Sequence, residues 1–147
     1  MKLIHQLLDY STPWRIPNVY LFTGNPIIKN NGTIVMGRGA AKQVRDTYPG
    51  IDGVFAKLIS QDPSTNCCFT AINPGQVLGW FKVKDHWADP AELNIIKNSV
   101  KDLITIVNTW PMINFHMNYP GIGNGRLSES EVESIINMLP NNVLIYK

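Results

Sequence analysis

The sequence predicts an α/β fold in which a mixed sheet of about six strands carries helices on both faces. Three observations lead there. Short apolar runs rich in β-branched and aromatic residues alternate with segments whose apolar residues recur at helical spacing. One pair of runs flanks Asn73-Pro74-Gly75-Gln76 and reads as a hairpin, which makes one strand pair antiparallel. Two glycine-rich stretches lie where a strand leads into a helix, the position that ligands occupy in such sheets.

The first segment, Lys2 to Asp9, has two readings. Leu3, Ile4, Leu7 and Leu8 suit helical spacing, whereas its shortness and the closing turn signal Asp9-Tyr10-Ser11-Thr12-Pro13 favour a strand. Asn18 to Phe22 is a strand buried on both faces, since no polar residue interrupts Val19-Tyr20-Leu21-Phe22. Gly39 to Tyr48 is a helix stopped by Pro49-Gly50. Within Ile51 to Asn66 the run Val54 to Ile59 fits a short helix or a strand equally well. Cys67 to Ile72 and Val77 to Lys84 are the hairpin strands. Asp89 reads as the N-cap of the longest helix, with Pro90 at its first position and Glu92 three residues after the cap. Leu93, Ile96, Val100, Leu103, Ile104 and Val107 give that helix its apolar stripe. Met112 to Met117 is a strand, Ser128 with Glu131 forms a capping box for a last helix, and Asn142 to Tyr146 is a closing strand.

The 147 residues suit one domain, 1–147, with a sizeable core. A net charge of +2 is too small to argue for nucleic-acid binding through bulk electrostatics. No apolar run approaches a bilayer span, and Met1-Lys2-Leu3 does not open a signal peptide, so no membrane association is expected. Neighbouring side chains of a strand point to opposite faces, so Cys67 and Cys68 are expected as reduced thiols of a cytoplasmic protein. His5, His86 and His116 lack ligand spacing, and neither a metal nor a cofactor is expected.

The chemistry is concentrated in the glycine stretches. Val35-Met36-Gly37-Arg38-Gly39-Ala40-Ala41 runs into the Gly39–Tyr48 helix, whose opening amides have no internal partner and suit an anion. Pro120 to Arg126 places glycines at 121, 123 and 125 between a strand and the Ser128 helix, so its amides can turn inward on a phosphate. Either stretch alone is equally a tight turn; together they suggest a two-sided clamp for a diphosphate. Neither matches the Walker or the dinucleotide spacing. Arg38, Lys42 and Arg45 read as a solvated helix face or as the edge of a binding cleft.

Asn25 with Asn31-Gly32, the Val35–Ala41 stretch, and Tyr119-Pro120-Gly121-Ile122-Gly123-Asn124-Gly125 resemble the macro domain, the ADP-ribose-binding module. The resemblance covers nearly the whole chain. It implies a three-layer α/β/α sandwich and a ligand set of Asp9, Tyr10, Thr23, Gly24, Asn25, Val35, Met36, Gly37, Gly39, Ala40, Tyr119, Pro120, Gly121, Ile122, Gly123, Asn124, Gly125 and Arg126. By it, Asp9 would receive the adenine amino group, Asn25 the distal ribose, and Met36 and Ile122 would supply apolar walls. Read from its neighbours alone, Asp9 is a turn residue before Ser11 and Thr12.

Phe81-Lys82-Val83-Lys84-Asp85-His86-Trp87 is similar to the branch that removes ADP-ribose from proteins or DNA bases. The similarity puts Lys84 at the position of a nucleophilic lysine, with Asn25 as its companion on the ribose. An amine attacks the anomeric carbon only when deprotonated, so such a site must lower its pKa. The chain departs from that branch after the second glycine stretch. There Arg126-Leu127-Ser128 replaces the acid or base, and Glu129 reads as a first-turn helix residue. The implied function is binding of ADP-ribose or of ADP-ribosylated protein or nucleic acid, with hydrolysis of an ADP-ribosyl linkage or of ADP-ribose 1″-phosphate. The alternative is a non-catalytic module that recognises ADP-ribosylated partners.

Overall fold

The computed structural model describes residues 1–147. Its strands are β1 (Lys2–Ile4), β2 (Asn18–Gly24), β3 (Cys67–Asn73), β4 (Gln76–Lys82), β5 (Asn114–Asn118) and β6 (Val143–Tyr146). Its helices are α1 (Gly39–Thr47), α2 (Ile51–Gln61), α3 (Leu93–Thr109) and α4 (Glu129–Ile136). The six strands form one sheet in the order β1-β6-β5-β2-β4-β3, parallel throughout except for the β3–β4 hairpin. The mixed six-stranded sandwich read from the sequence is the fold observed.

Alternation along the strands divides the interior into two cores. Val19 and Leu21 of β2, Phe81 at the end of β4, Phe115 and Met117 of β5, and Val143 and Ile145 of β6 face α3 and α4. Phe22, Leu78 and Trp80 face α1 and α2, where Phe55 of α2 meets Phe22 edge-on with ring centroids 5.3 Å apart. The same packing makes α2 helical. Ile51, Phe55, Ala56 and Ile59 are buried on one helical face, a choice that Val54–Ile59 alone left open. Cys67 packs toward the first core and Cys68 toward the second, as alternation requires. Both are free, and burial pushes both thiols up, Cys68 to about 12.

β4 ends at Lys82 rather than Lys84 and β5 starts at Asn114 rather than Met112, and two further boundaries differ from expectation for a tertiary reason. β1 stops at Ile4, because only Lys2, Leu3 and Ile4 have partners on β6. The longest helix starts at Leu93 with Glu92 as its uncapped N-cap residue, not at Asp89. Residues 89–92 stay outside the helix because their amides are claimed elsewhere. Ala91 N–H donates to the Gly125 carbonyl (2.9 Å) and Glu92 N–H to the Val83 carbonyl (3.0 Å). These two bonds tie the strand-to-helix connection to the second glycine loop. The capping box at α4 forms as read, with Glu131 N–H donating to Ser128 Oγ and Ser128 N–H to the Glu131 carboxylate.

Candidate functional site

The carboxyl ends of three adjacent parallel strands, β4, β2 and β5, open into a cavity of about 750 Å³. Its floor comes from Thr23, Gly24 and Asn25 after β2, Val83 and Lys84 after β4, and Asn118 at the end of β5. Asn118 ties the floor together. Its amide oxygen accepts from Thr23 N–H at 3.1 Å and lies 3.1 Å from the Tyr10 hydroxyl oxygen, and its nitrogen donates to Thr23 Oγ1 at 2.9 Å. Asn25 is buried and braces the loop, donating to the Val35 carbonyl (3.3 Å) and accepting from Ile27 N–H (3.0 Å). That leaves one N–H of its amide for another partner.

Both glycine stretches line this cavity. Val35, Met36, Gly37, Gly39 and Ala40 form one wall, ending in the first turn of α1. No side chain caps that turn and no acidic residue lies in it, so its amides keep their donor capacity. Gly121, Ile122, Asn124, Gly125 and Arg126 form the opposite wall. This loop is held by its own backbone: Leu127 N–H donates to the Gly121 carbonyl (2.9 Å) and Arg126 N–H to that of Gly123 (3.0 Å). The walls meet at Gly39, where an added Cβ would lie 3.1 Å from the Asn124 amide nitrogen. Gly123 is in the loop but does not line the cavity.

Four more residues of the sequence-derived set lie outside the lining. Tyr119 is buried, with its hydroxyl donating to the Glu129 carbonyl (3.1 Å), and Pro120 is buried beside it. Tyr10 is buried beneath the floor and donates to the Leu21 carbonyl at 2.6 Å. Asp9 is exposed and accepts from Ser11 N–H and Ser11 Oγ, at 2.9 and 2.6 Å, in a local turn.

Lys84 reaches the cavity from two residues beyond the end of β4. It is half-buried, and its Nζ donates to the carbonyls of Asp89 (3.2 Å) and Trp87 (3.4 Å). Burial, then the Arg126 and Arg38 guanidiniums, hold the amine below the usual lysine value, against a weaker opposing pull from Asp89. Lys29, Arg38, Lys84 and Arg126 line the cavity, while no aspartate or glutamate does. Glu129 turns away to pair with Lys147. Arg126 holds a left-handed backbone, φ +65°, where a non-glycine residue is under strain. Arg38, Lys29, Asn118 and Trp87 escaped the set drawn from the glycine motifs. The clustered cations around the first stretch were the only signal for Arg38, and nothing local marked Asn118.

The groups that could hold a metal do not assemble: no three His, Cys, Asp or Glu side chains converge. No helix is long and apolar enough to cross a membrane.

No protein-family model matches this chain. A DNA ADP-ribosyl glycohydrolase of Mycobacterium tuberculosis is 29% identical to it over 104 residues, 67% of this chain. The chain spans only 30% of that relative's length. The macrodomain of Mycobacterium tuberculosis DarG superposes with a TM-score of 0.75 at 24% identity, covering 98% of this chain and 96% of the other. Thermosipho africanus DarTG, solved in complex with ADP-ribose, superposes with a TM-score of 0.69 at 19% identity, covering 89% of this chain and 38% of the other. The chain has the macrodomain fold.

Proposed function

We propose that this domain binds ADP-ribose with its diphosphate between the two glycine loops and removes ADP-ribosyl groups from DNA, with Lys84 as nucleophile. One observation carries the reading: a half-buried amine opens into the same cavity as both loops, with arginines beside it. The DNA acceptor follows from the similarity to the DNA ADP-ribosyl glycohydrolases of Mycobacterium. Asn25 would donate its remaining N–H to a hydroxyl of the distal ribose. The thiols, unpaired on opposite faces, support a cytoplasmic setting.

In the first step the Lys84 nitrogen bonds to the anomeric carbon as the bond from that carbon to the acceptor base breaks. The bonding pair leaves with the base, which takes the proton shed by the amine. Opening of the ribose ring gives an imine, and water then hydrolyses it to ADP-ribose and free Lys84. Arg126, standing where the deglycosylating branch has an acid or base, would act here by disfavouring the charged amine.

The primary test is a titration with ADP-ribose; absence of binding at millimolar ligand removes the reading. Turnover is assayed on ADP-ribosylated DNA, ADP-ribosylated protein and ADP-ribose 1″-phosphate. The pH dependence gives a second test. Only the neutral amine attacks, so kcat should rise as pH passes through the pKa of Lys84. Arg126→Gln removes a cation that opposes protonation, which raises that pKa. The rising limb of the kcat profile should therefore move to higher pH, and an unmoved limb would separate Arg126 from the amine.

A second reading, a module that binds ADP-ribosyl groups without cleaving them, is favoured by the lack of a carboxylate in the lining. Binding without turnover on any of the three substrates would select it.

A further inference from the structure

Trp87 is half exposed (51%) at the mouth of the cavity it lines, although a free indole is normally buried. The backbone around it is firmly held. Lys84 Nζ donates to the Trp87 carbonyl, Ala88 N–H to His86 Nδ1 (3.0 Å), and Asp89 N–H to the His86 carbonyl (3.1 Å). The His86 ring lies beside the indole, with centroids 5.3 Å apart and planes inclined at 31°. The exposed indole, with the partly buried imidazole at its side, thus sits on a pinned loop adjacent to the amine. Lys29, Arg38 and Arg126 line the same cavity as Trp87. Of the loop's own carboxylates, Asp85 is paired with Lys82 (2.7 Å), and Asp89 is exposed.

We infer that Trp87, flanked by His86, is the stacking platform for the acceptor base of ADP-ribosylated single-stranded nucleic acid, with Arg38 and Arg126 meeting its flanking phosphates. The inference rests on the proposed function and adds what selects the acceptor. A rigid exposed aromatic loses little entropy on stacking, and a base-aromatic stack has enough energy to set specificity. A peptide acceptor offers neither an unstacked base nor a run of phosphates, so the same rim would hold it poorly. Trp110 is exposed to a similar degree (57%), but it precedes β5 and lies at the opposite end of the sheet.

The experiment compares two affinities with Lys84 in place, using an acceptor linkage that cannot be cleaved so that it survives the titration. The probes are free ADP-ribose and a single-stranded oligonucleotide carrying one ADP-ribosylated base. Trp87→Ala should weaken the oligonucleotide by about ten-fold more than it weakens ADP-ribose. Trp87→Phe should recover most of that loss, and Trp110→Ala should reproduce none of it. Equal losses on both probes, or an equal loss on an ADP-ribosylated peptide, would overturn the platform. So would a parent protein that binds the oligonucleotide no better than free ADP-ribose. Failure of the parent to bind free ADP-ribose would instead sink the proposed function itself.

Discussion

Replacing Lys84 by methionine is expected to cut turnover of an ADP-ribosylated oligonucleotide by about 10³-fold or more. ADP-ribose should still bind, because the glycine loops, the α1 amides and Asn25 are untouched. Methionine keeps most of the side-chain volume but loses the donor that Lys84 Nζ directs at the carbonyls of Trp87 and Asp89. A circular-dichroism spectrum and a melting curve check that the loop's loss does not spread. Borohydride supplies the independent readout: reduction during turnover should fix the ribosyl group on Lys84 in the wild type, and peptide mass mapping should locate it there. Normal affinity with full turnover in Lys84→Met would falsify the nucleophile assignment.

Gly121→Ala should strongly destabilise the fold. Gly121 has φ +82°, a conformation that costs an alanine about 1–2 kcal/mol. An added Cβ would also lie 2.7 Å from Ile96 Cδ1 and 3.0 Å from Leu127 Cδ1. Ile96 is fully buried against the sheet and has little room to yield. Overpacking of this kind adds about 1–3 kcal/mol, for a total near 2–5 kcal/mol. At this size that corresponds to a fall of roughly 5–20 °C in Tm. Gly123→Ala separates the two causes. Gly123 has φ +65° but nothing within 4 Å of its added Cβ, so it should carry only the smaller backbone cost. Equal melting temperatures for the two variants would show that the Ile96 contact is not what excludes alanine at 121. ADP-ribose affinity should also fall in Gly121→Ala, since the shifted loop is one wall of the cavity.

Much of this molecule was legible in the order of its residues. Alternation and apolar spacing placed five of the six strands and three of the four helices, because both periodicities follow from backbone geometry that acts over a few residues. The capping box at Ser128 is a local motif and formed as written. The glycine stretches announced loops for the same reason, and their likeness to macro domains led to the fold observed. The start of α3 was misread because Asp89-Pro90 is a good local signal that a tertiary demand overrides. Val83 and Gly125, distant in sequence, take the amides of Glu92 and Ala91. Asp9 shows the opposite outcome, since its neighbours alone predicted the turn it makes with Ser11.

The sequence by itself determined three of the helices, five of the strands and the two glycine loops that flank the cavity, all features written over short spans of chain. Which side chains share the cavity was decided only by the tertiary structure. Parallel pairing of β2 with β4 and β5 brings Gly24, Lys84 and Asn118 to one edge of the sheet. It sets Arg38 and Arg126, far apart along the chain, close enough to disfavour the charge on Lys84. No local pattern encodes that proximity, because it arises from strand order, and the reactivity proposed for Lys84 depends on it.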